Sequence, residues 1–166
     1  FEQSLFEKLK LKLRAKRVKY IISASSDKTI KMCEYKEDGT ITLNKSFTGH
    51  KYDVLTLLVN KYNCMGGPIN QVVSCDKRKT IKTWNIETGA CIHTMKTSQR
   101  IWSLAWWKQG QYLIEGCENK PYDIHIRQFN HLDHTSQNHG TIITTLKGHR
   151  GTVRVLIVDE TNDELL

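Results

Sequence analysis

From Val18 onward the chain reads as short runs of alternating apolar and polar positions, broken by turn residues. A two-residue period belongs to half-buried strands rather than helices. Val18 to Ser23 and Thr29 to Tyr35 are rich in β-branched and aromatic residues, and Ser25, Ser26, Asp27 and Lys28 supply the turn between them. Lys36-Glu37-Asp38-Gly39 follows, and Asp-Gly between two such runs predicts a hairpin because glycine accepts positive φ. Thr40 to Phe47 then continues the sheet. The same order returns in Gln71 to Cys75, Thr80 to Ile86, a turn at Glu87-Thr88-Gly89, and Ala90 to Met95. It returns again in Tyr112 to Cys117, Tyr122 to Phe129, an enlarged loop from Asn130 to Gly140, and Thr141 to Leu146. Further apolar strands are predicted between these rounds, at Val54 to Val59, Ile101 to Trp107 and Val153 to Val158.

Two stretches nearly repeat each other. Ser23 to Tyr35 reads Ser-Ala-Ser-Ser-Asp-Lys-Thr-Ile-Lys-Met-Cys-Glu-Tyr, and Ser74 to Ile86 reads Ser-Cys-Asp-Lys-Arg-Lys-Thr-Ile-Lys-Thr-Trp-Asn-Ile. With Ser74 laid on Ser23, both contain Lys-Thr-Ile-Lys, followed two positions later by Cys33 or Trp84. A self-similar unit of this size implies stacked modules, none of which buries a core alone. Four antiparallel strands per unit, repeated, is the cadence of a β-propeller blade. The predicted class is all-β, a partial propeller of about three four-stranded blades.

These residues resemble the WD-repeat β-propellers. Their unit carries a Gly-His pair, an inner strand, a serine on the next strand, an aspartate in a tight turn and a Trp-Asp pair. Gly49-His50 matches the opening pair, Val54 and Leu57 follow on the inner strand, and Ser74 and Trp84-Asn85 complete that unit. Ser23 and Asp27 hold the serine and aspartate places of the first unit, with Cys33 in the tryptophan place. Gly148-His149 opens another unit, followed by Val153 and Leu156. Arg78, however, stands where the second aspartate belongs. In the third unit Cys117, Pro121 and Arg127 fall on all three places, and Lys96-Thr97 replaces Gly-His. The resemblance therefore implies that the family's buried His–Ser–Asp–Trp network is complete nowhere here. The blades are then held chiefly by apolar packing.

Propellers close with about four to eight blades. The chain carries two complete units, a first one with no clear inner strand, and one inner strand of a fourth. Residues 19–166 are expected to be a fragment of a larger ring, whose remaining blades are one class of partner. Residues 1–18 form a separate basic segment. Ser4 and Glu7 fit a capping box, and Leu5, Leu9 and Leu13 have helical spacing, while Lys8 to Leu13 alternates strictly as a strand does. A helix is the preferred reading and an edge strand the alternative.

Composition narrows the functional class. The 166 residues are 39% apolar and 25% charged, enough for a core, and no apolar run reaches transmembrane length. Cys33, Cys64, Cys75, Cys91 and Cys117 are scattered, without a C-x-x-C pair. That pattern fits reduced thiols in an intracellular protein, cytoplasmic or alternatively nuclear, and does not support zinc held by cysteines. The net charge of +8 is concentrated at the amino end, where Lys8, Lys10, Lys12, Arg14, Lys16, Arg17 and Lys19 face only Glu2 and Glu7. A solvated face is the plain reading of that segment. An acidic protein surface, nucleic acid or an anionic membrane are the alternatives.

Catalytic motifs are lacking: there is no nucleophile elbow, Walker loop, dinucleotide fingerprint or His-Glu-x-x-His. Gly66-Gly67-Pro68 precedes a strand, not the helix a phosphate cradle requires. His131, His134 and His139, with Asp133, come nearest to a metal site, yet the polar residues around them favour an enlarged hairpin loop. No catalytic residue, cofactor or metal is predicted. Trp102 and Trp106 fall on one side of their strand and Trp107 on the other, so one side is expected to pack between blades. The family resemblance implies a non-enzymatic protein-interaction scaffold. Its binding positions flank the inner strands and the turn before the third strand. Here those are Lys51, Tyr52, Asp53, Lys77, Arg78, Arg100, Trp102, Arg150 and Arg154. Their mostly cationic character implies an acidic or phosphorylated partner.

Overall fold

The computed structural model describes residues 19–36, 38–60, 71–129, 135, 137 and 139–159. The basic segment 1–18, the Gly66-Gly67-Pro68 loop and His131, Asp133 and His134 lie outside the described residues. Within them the chain forms strands only, in three antiparallel sheets. The first sheet is β1 (Lys19–Ala24), β2 (Ile30–Tyr35) and β3 (Ile41–Phe47), in that order. The second runs β4 (Val54–Asn60), β5 (Gln71–Asp76), β6 (Thr80–Asn85) and β7 (Cys91–Lys96). The third runs β8 (Ile101–Trp107), β9 (Tyr112–Cys117), β10 (Ile124–Gln128) and β11 (Ile142–Leu146). Each is a meander in chain order, as expected of successive propeller blades.

Register places the three units on one another. Ser23 faces Lys31 and Ser74 faces Lys82, so the two similar stretches occupy equivalent places. Lys28, Lys79 and Tyr122 have φ of 72°, 65° and 61°, each at the residue before the equivalent of Thr29 and Thr80. The tight turn thus demands the left-handed region whatever side chain stands there. Gly39 and Gly89, at φ 83° and 76°, close the outer hairpins.

Strand alternation sends neighbouring side chains to opposite blades. Val72 and Trp84 join Ile30, Met32, Phe47 and Val54 between the first and second blades. Val73, Cys75 and Ile81 face the other way, onto Ile101, Leu104, Trp106, Leu113 and Phe129 of the third. Each fully buried aliphatic side chain contributes roughly 1.5–3 kcal/mol to this stacking. On the first blade Ile21 and Cys33 take the places that Val72 and Trp84 bury one blade later, and Ile21 is half exposed. Among the described residues no further sheet packs on this face of the first blade.

Two sequence expectations change. Val153 to Val158 is extended but is not a strand, because no sheet partner lies beside it among the described residues. It nevertheless docks as an inner strand begins: the Val153 N–H donates to the Cys117 carbonyl at 3.1 Å, as Val54 donates to Ser25 at 3.1 Å. Leu156 and Val158 pack on Ala105, Ile114 and Ile126, while Val155 and Ile157 point to solvent. Trp102 also leaves the row of Trp106. The β8–β9 register shifts between Ile101 and Ser103, so Trp102 has no residue opposite it on β9. Only Trp106 enters the core, against Phe129, with its indole N–H donating to the Val59 carbonyl at 3.1 Å.

Candidate functional site

The turns that precede β4 and β8 and that join β5 to β6 meet at one end of the blades, and a buried polar chain fixes their shape. Trp84 Nε1 donates to Ser74 Oγ at 2.8 Å, Ser74 Oγ lies 2.7 Å from His50 Nε2, and His50 Nδ1 lies 3.1 Å from Asp76 Oδ2. All four side chains are buried. An indole can only donate, so Ser74 accepts from Trp84 and gives its own hydroxyl proton to His50 Nε2. The imidazole is then neutral, with its proton on Nδ1 aimed at the Asp76 carboxylate. Burial pushes the His50 pKa below its ordinary value, and the bond to Asp76 opposes that shift without reversing it. Gly49 has φ 136°, and a Cβ there would stand 3.4 Å from the Trp84 ring. Glycine therefore suits both the backbone angle and the passage of the chain over the indole.

This network corrects the expectation that none is complete. Arg78 does occupy the turn place equivalent to Asp27, but Asp76 performs the aspartate's work from two residues earlier. Its Oδ1 accepts the N–H of Arg78 at 2.9 Å and of Thr80 at 3.0 Å, while Oδ2 serves His50. Ser74 and Asp76 lie two apart on β5, hence on one sheet face, and that spacing was the signal in the sequence.

The third blade is corrected as well. Arg127 faces Leu113 as Trp84 faces Val72, so it holds the tryptophan place. The serine place belongs to Glu115, not Cys117: Arg127 Nε and Nη2 donate to its two carboxylate oxygens at 2.7 and 2.9 Å. Glu115 is fully buried. Cys117 lies 3.7 Å from His125 Nδ1 and is buried, and its desolvated thiol has a pKa pushed up to about 12. In the first blade Asp27 caps its own turn by accepting the Thr29 N–H at 2.9 Å and the Thr29 hydroxyl at 2.6 Å. Ser23 is exposed there, and Gly148 and His149 are exposed ahead of Val153.

The candidate binding residues sit on the same end of the blades. The Arg78 guanidinium lies over the Tyr52 ring, 5.3 Å from its centroid, and Arg154 lies over Trp102 at 5.4 Å. Lys77 pairs with Asp53 at 3.6 Å, and its backbone N–H donates to the Asp53 carbonyl at 2.9 Å. Arg100 turns inward, to Glu118 at 2.6 Å and to the Lys77 carbonyl at 3.1 Å. Lys51 and Arg150 are exposed. Glu118 escaped the sequence reading because its role depends on the contact with Arg100, which no local pattern announces. The surface is rich in cations, with Asp53 and Glu118 as the acidic residues paired to them.

At the opposite end His139 packs its ring on His93 and Phe129, each with centroids 4.8 Å apart. Among the described residues no group of three side chains is placed to hold a metal ion.

No family model matches the chain. It is 29% identical over 103 residues to the WD repeat-containing protein 26 homolog of Arabidopsis thaliana, a match covering 61% of this chain and 16% of that protein. It is 34% identical over 89 residues to F-box/WD repeat-containing protein 4 of Mus musculus and of Homo sapiens, covering 52% of this chain and 19% of each relative. The matched region is thus less than a fifth of these relatives' length. Repeated units, blade-by-blade register and these similarities agree: the chain is similar to WD-repeat proteins, and its three antiparallel sheets are consistent with a partial propeller of that type.

Proposed function

We propose that the chain is a non-enzymatic interaction scaffold whose partner docks on the end of the blades that carries Tyr52, Arg78, Trp102 and Arg154. The observation that carries this reading is the pair of guanidiniums held over aromatic rings at 5.3 and 5.4 Å. A ring beneath an arginine reduces the orientations it samples and leaves its N–H edge for an anionic group. Beneath that surface the His50–Asp76 bond and the two backbone N–H groups held by Asp76 keep the turn in one shape. A rigid surface loses little conformational entropy when a partner arrives. The excess of cations supports an acidic or phosphorylated segment as partner.

The test is a quantitative pull-down with the full protein, wild type against the Lys51→Glu/Arg150→Glu variant. Both side chains are exposed, so the variant should melt as the wild type does. Partners retained by the wild type are expected to be depleted by about tenfold or more, since like charges across an interface are costly. An unchanged partner set with the charge-reversed face would refute the assignment.

A further inference from the structure

We infer that Arg78 is the selectivity-determining residue of this face and that the segment it selects is an extended run of carboxylates. This rests on the interaction reading above and deepens it. In the first blade the turn position is Asp27, whose Oδ1 accepts the N–H and hydroxyl of Thr29 while its Oδ2 pairs with Lys31 at 3.7 Å. The equivalent position in the second blade is Arg78, which cannot cap a turn because a guanidinium has no acceptor. Asp76 has taken over both duties: Oδ1 holds the N–H groups of Arg78 and Thr80, and Oδ2 holds His50. No structural task is left for the side chain at 78. It is exposed, and it rests on Tyr52. Relocating the carboxylate has released a turn position for the display of a cation.

The neighbouring charges show why Arg78 stands out. Lys77 is matched by Asp53 and Arg100 by Glu118. Arg78 and Arg154 are matched by no carboxylate among the described residues, and each lies over a ring instead. These two arginines belong to different units, one in the turn before β6 and one in the segment after the third blade. A single phosphate is best held by guanidiniums that converge on it. Arginines fixed on separate rings in separate units suit several carboxylates spaced along an extended peptide.

The experiment uses the full protein and a fluorescein-labelled hexaglutamate peptide, read by fluorescence anisotropy at low salt. Arg78→Asp restores the residue type found at position 27 and reverses the charge. It should melt with the wild type, because Asp76 already fills the turn, and should weaken hexaglutamate by about tenfold or more. Arg78→Gln, which keeps the length and loses the charge, should weaken it by a smaller factor. Wild-type affinity in both variants, or a lowered melting temperature in Arg78→Gln, would overturn the assignment. If the Lys51→Glu/Arg150→Glu variant loses the peptide while both Arg78 variants keep it, the face stands and the role of Arg78 falls. If none of the variants moves the affinity, both readings fall. A phosphoserine peptide bound where hexaglutamate is not would replace the carboxylate run with a phosphate and sink the chemical class proposed.

Discussion

Arg127 grips the carboxylate of Glu115 from β10 to β9, at 2.7 and 2.9 Å, in the place where Trp84 donates to Ser74 one blade earlier. The two pairs join equivalent strands and face the preceding blade, so one position in the fold is served by two chemistries. In the second blade it is a neutral hydrogen bond beneath a large apolar ring. In the third it is a buried, bidentate ion pair, and Arg127 adds a bond from Nη1 to the Gly140 carbonyl that ties β10 to the end of the enlarged hairpin.

Breaking that ion pair from one side should be far worse than replacing it whole. Glu115→Ser alone strands a buried guanidinium, and Arg127→Trp alone strands a fully buried carboxylate. Each is expected to cost about 3–5 kcal/mol, because an uncompensated buried charge remains. The double variant recreates the Ser74–Trp84 pair and should recover most of the loss. Urea denaturation of the wild type, both singles and the double measures the coupling directly. A double variant as unstable as the two singles added together would show that the pairs are not interchangeable.

His50 sets a second expectation, this one in pH. Its folded-state pKa lies below the ordinary value of 6.5 because burial disfavours the imidazolium. Below 6.5 the unfolded chain therefore takes up a proton that the folded chain refuses, and stability rises with pH through that window. The stabilising difference is fully present above the ordinary value and is lost as pH falls toward the depressed one. Protonation would also remove the acceptor that Ser74 needs at Nε2. Melting temperature should fall on acidification from about pH 7.5 to 5 and fall less steeply in His50→Asn, which has no proton to gain. His93 is shifted the same way by desolvation, so the difference between the two slopes, not the wild-type slope alone, reports His50. Parallel slopes would mean that the imidazole of His50 does not contribute in this range.

Period-two alternation and turn chemistry are local, which is why the strands from β1 to β11 and the hairpin at Gly39 can be read from sequence. The polar network cannot be read by counting along the chain, since its members meet through register. Trp84 lies ten residues after Ser74, and the same count back from Arg127 lands on Cys117. The turn around Pro121 is longer, so Glu115 stands twelve residues before Arg127 and is the true counterpart. Asp76 was passed over for the same reason: a fixed spacing pointed to position 78, whereas sheet face pointed to 76. The bulge at Trp102 likewise depends on how β8 pairs with β9, which the run of apolar residues does not reveal.

Gly116 offers a test of how the segment after the third blade is anchored. A Cβ there would overlap Ser103 Oγ and lie 2.9 Å from both Val153 Cγ1 and the Val153 carbonyl oxygen. A side-chain tip could swing aside, but the carbonyl is backbone, and it accepts the Ser103 hydroxyl at 2.9 Å. Gly116→Ala should therefore push Val153 off the sheet, costing about 1–3 kcal/mol by overpacking. It should also open the bond from the Val153 N–H to Cys117. Gly151→Ala is the control, because nothing lies within 4 Å of its added methyl. Native-state hydrogen exchange should show the Val153 amide losing protection in Gly116→Ala and keeping it in Gly151→Ala. Equal protection in both would mean that the extended segment is held by Leu156 and Val158 alone, and that the contact at Gly116 does not place it.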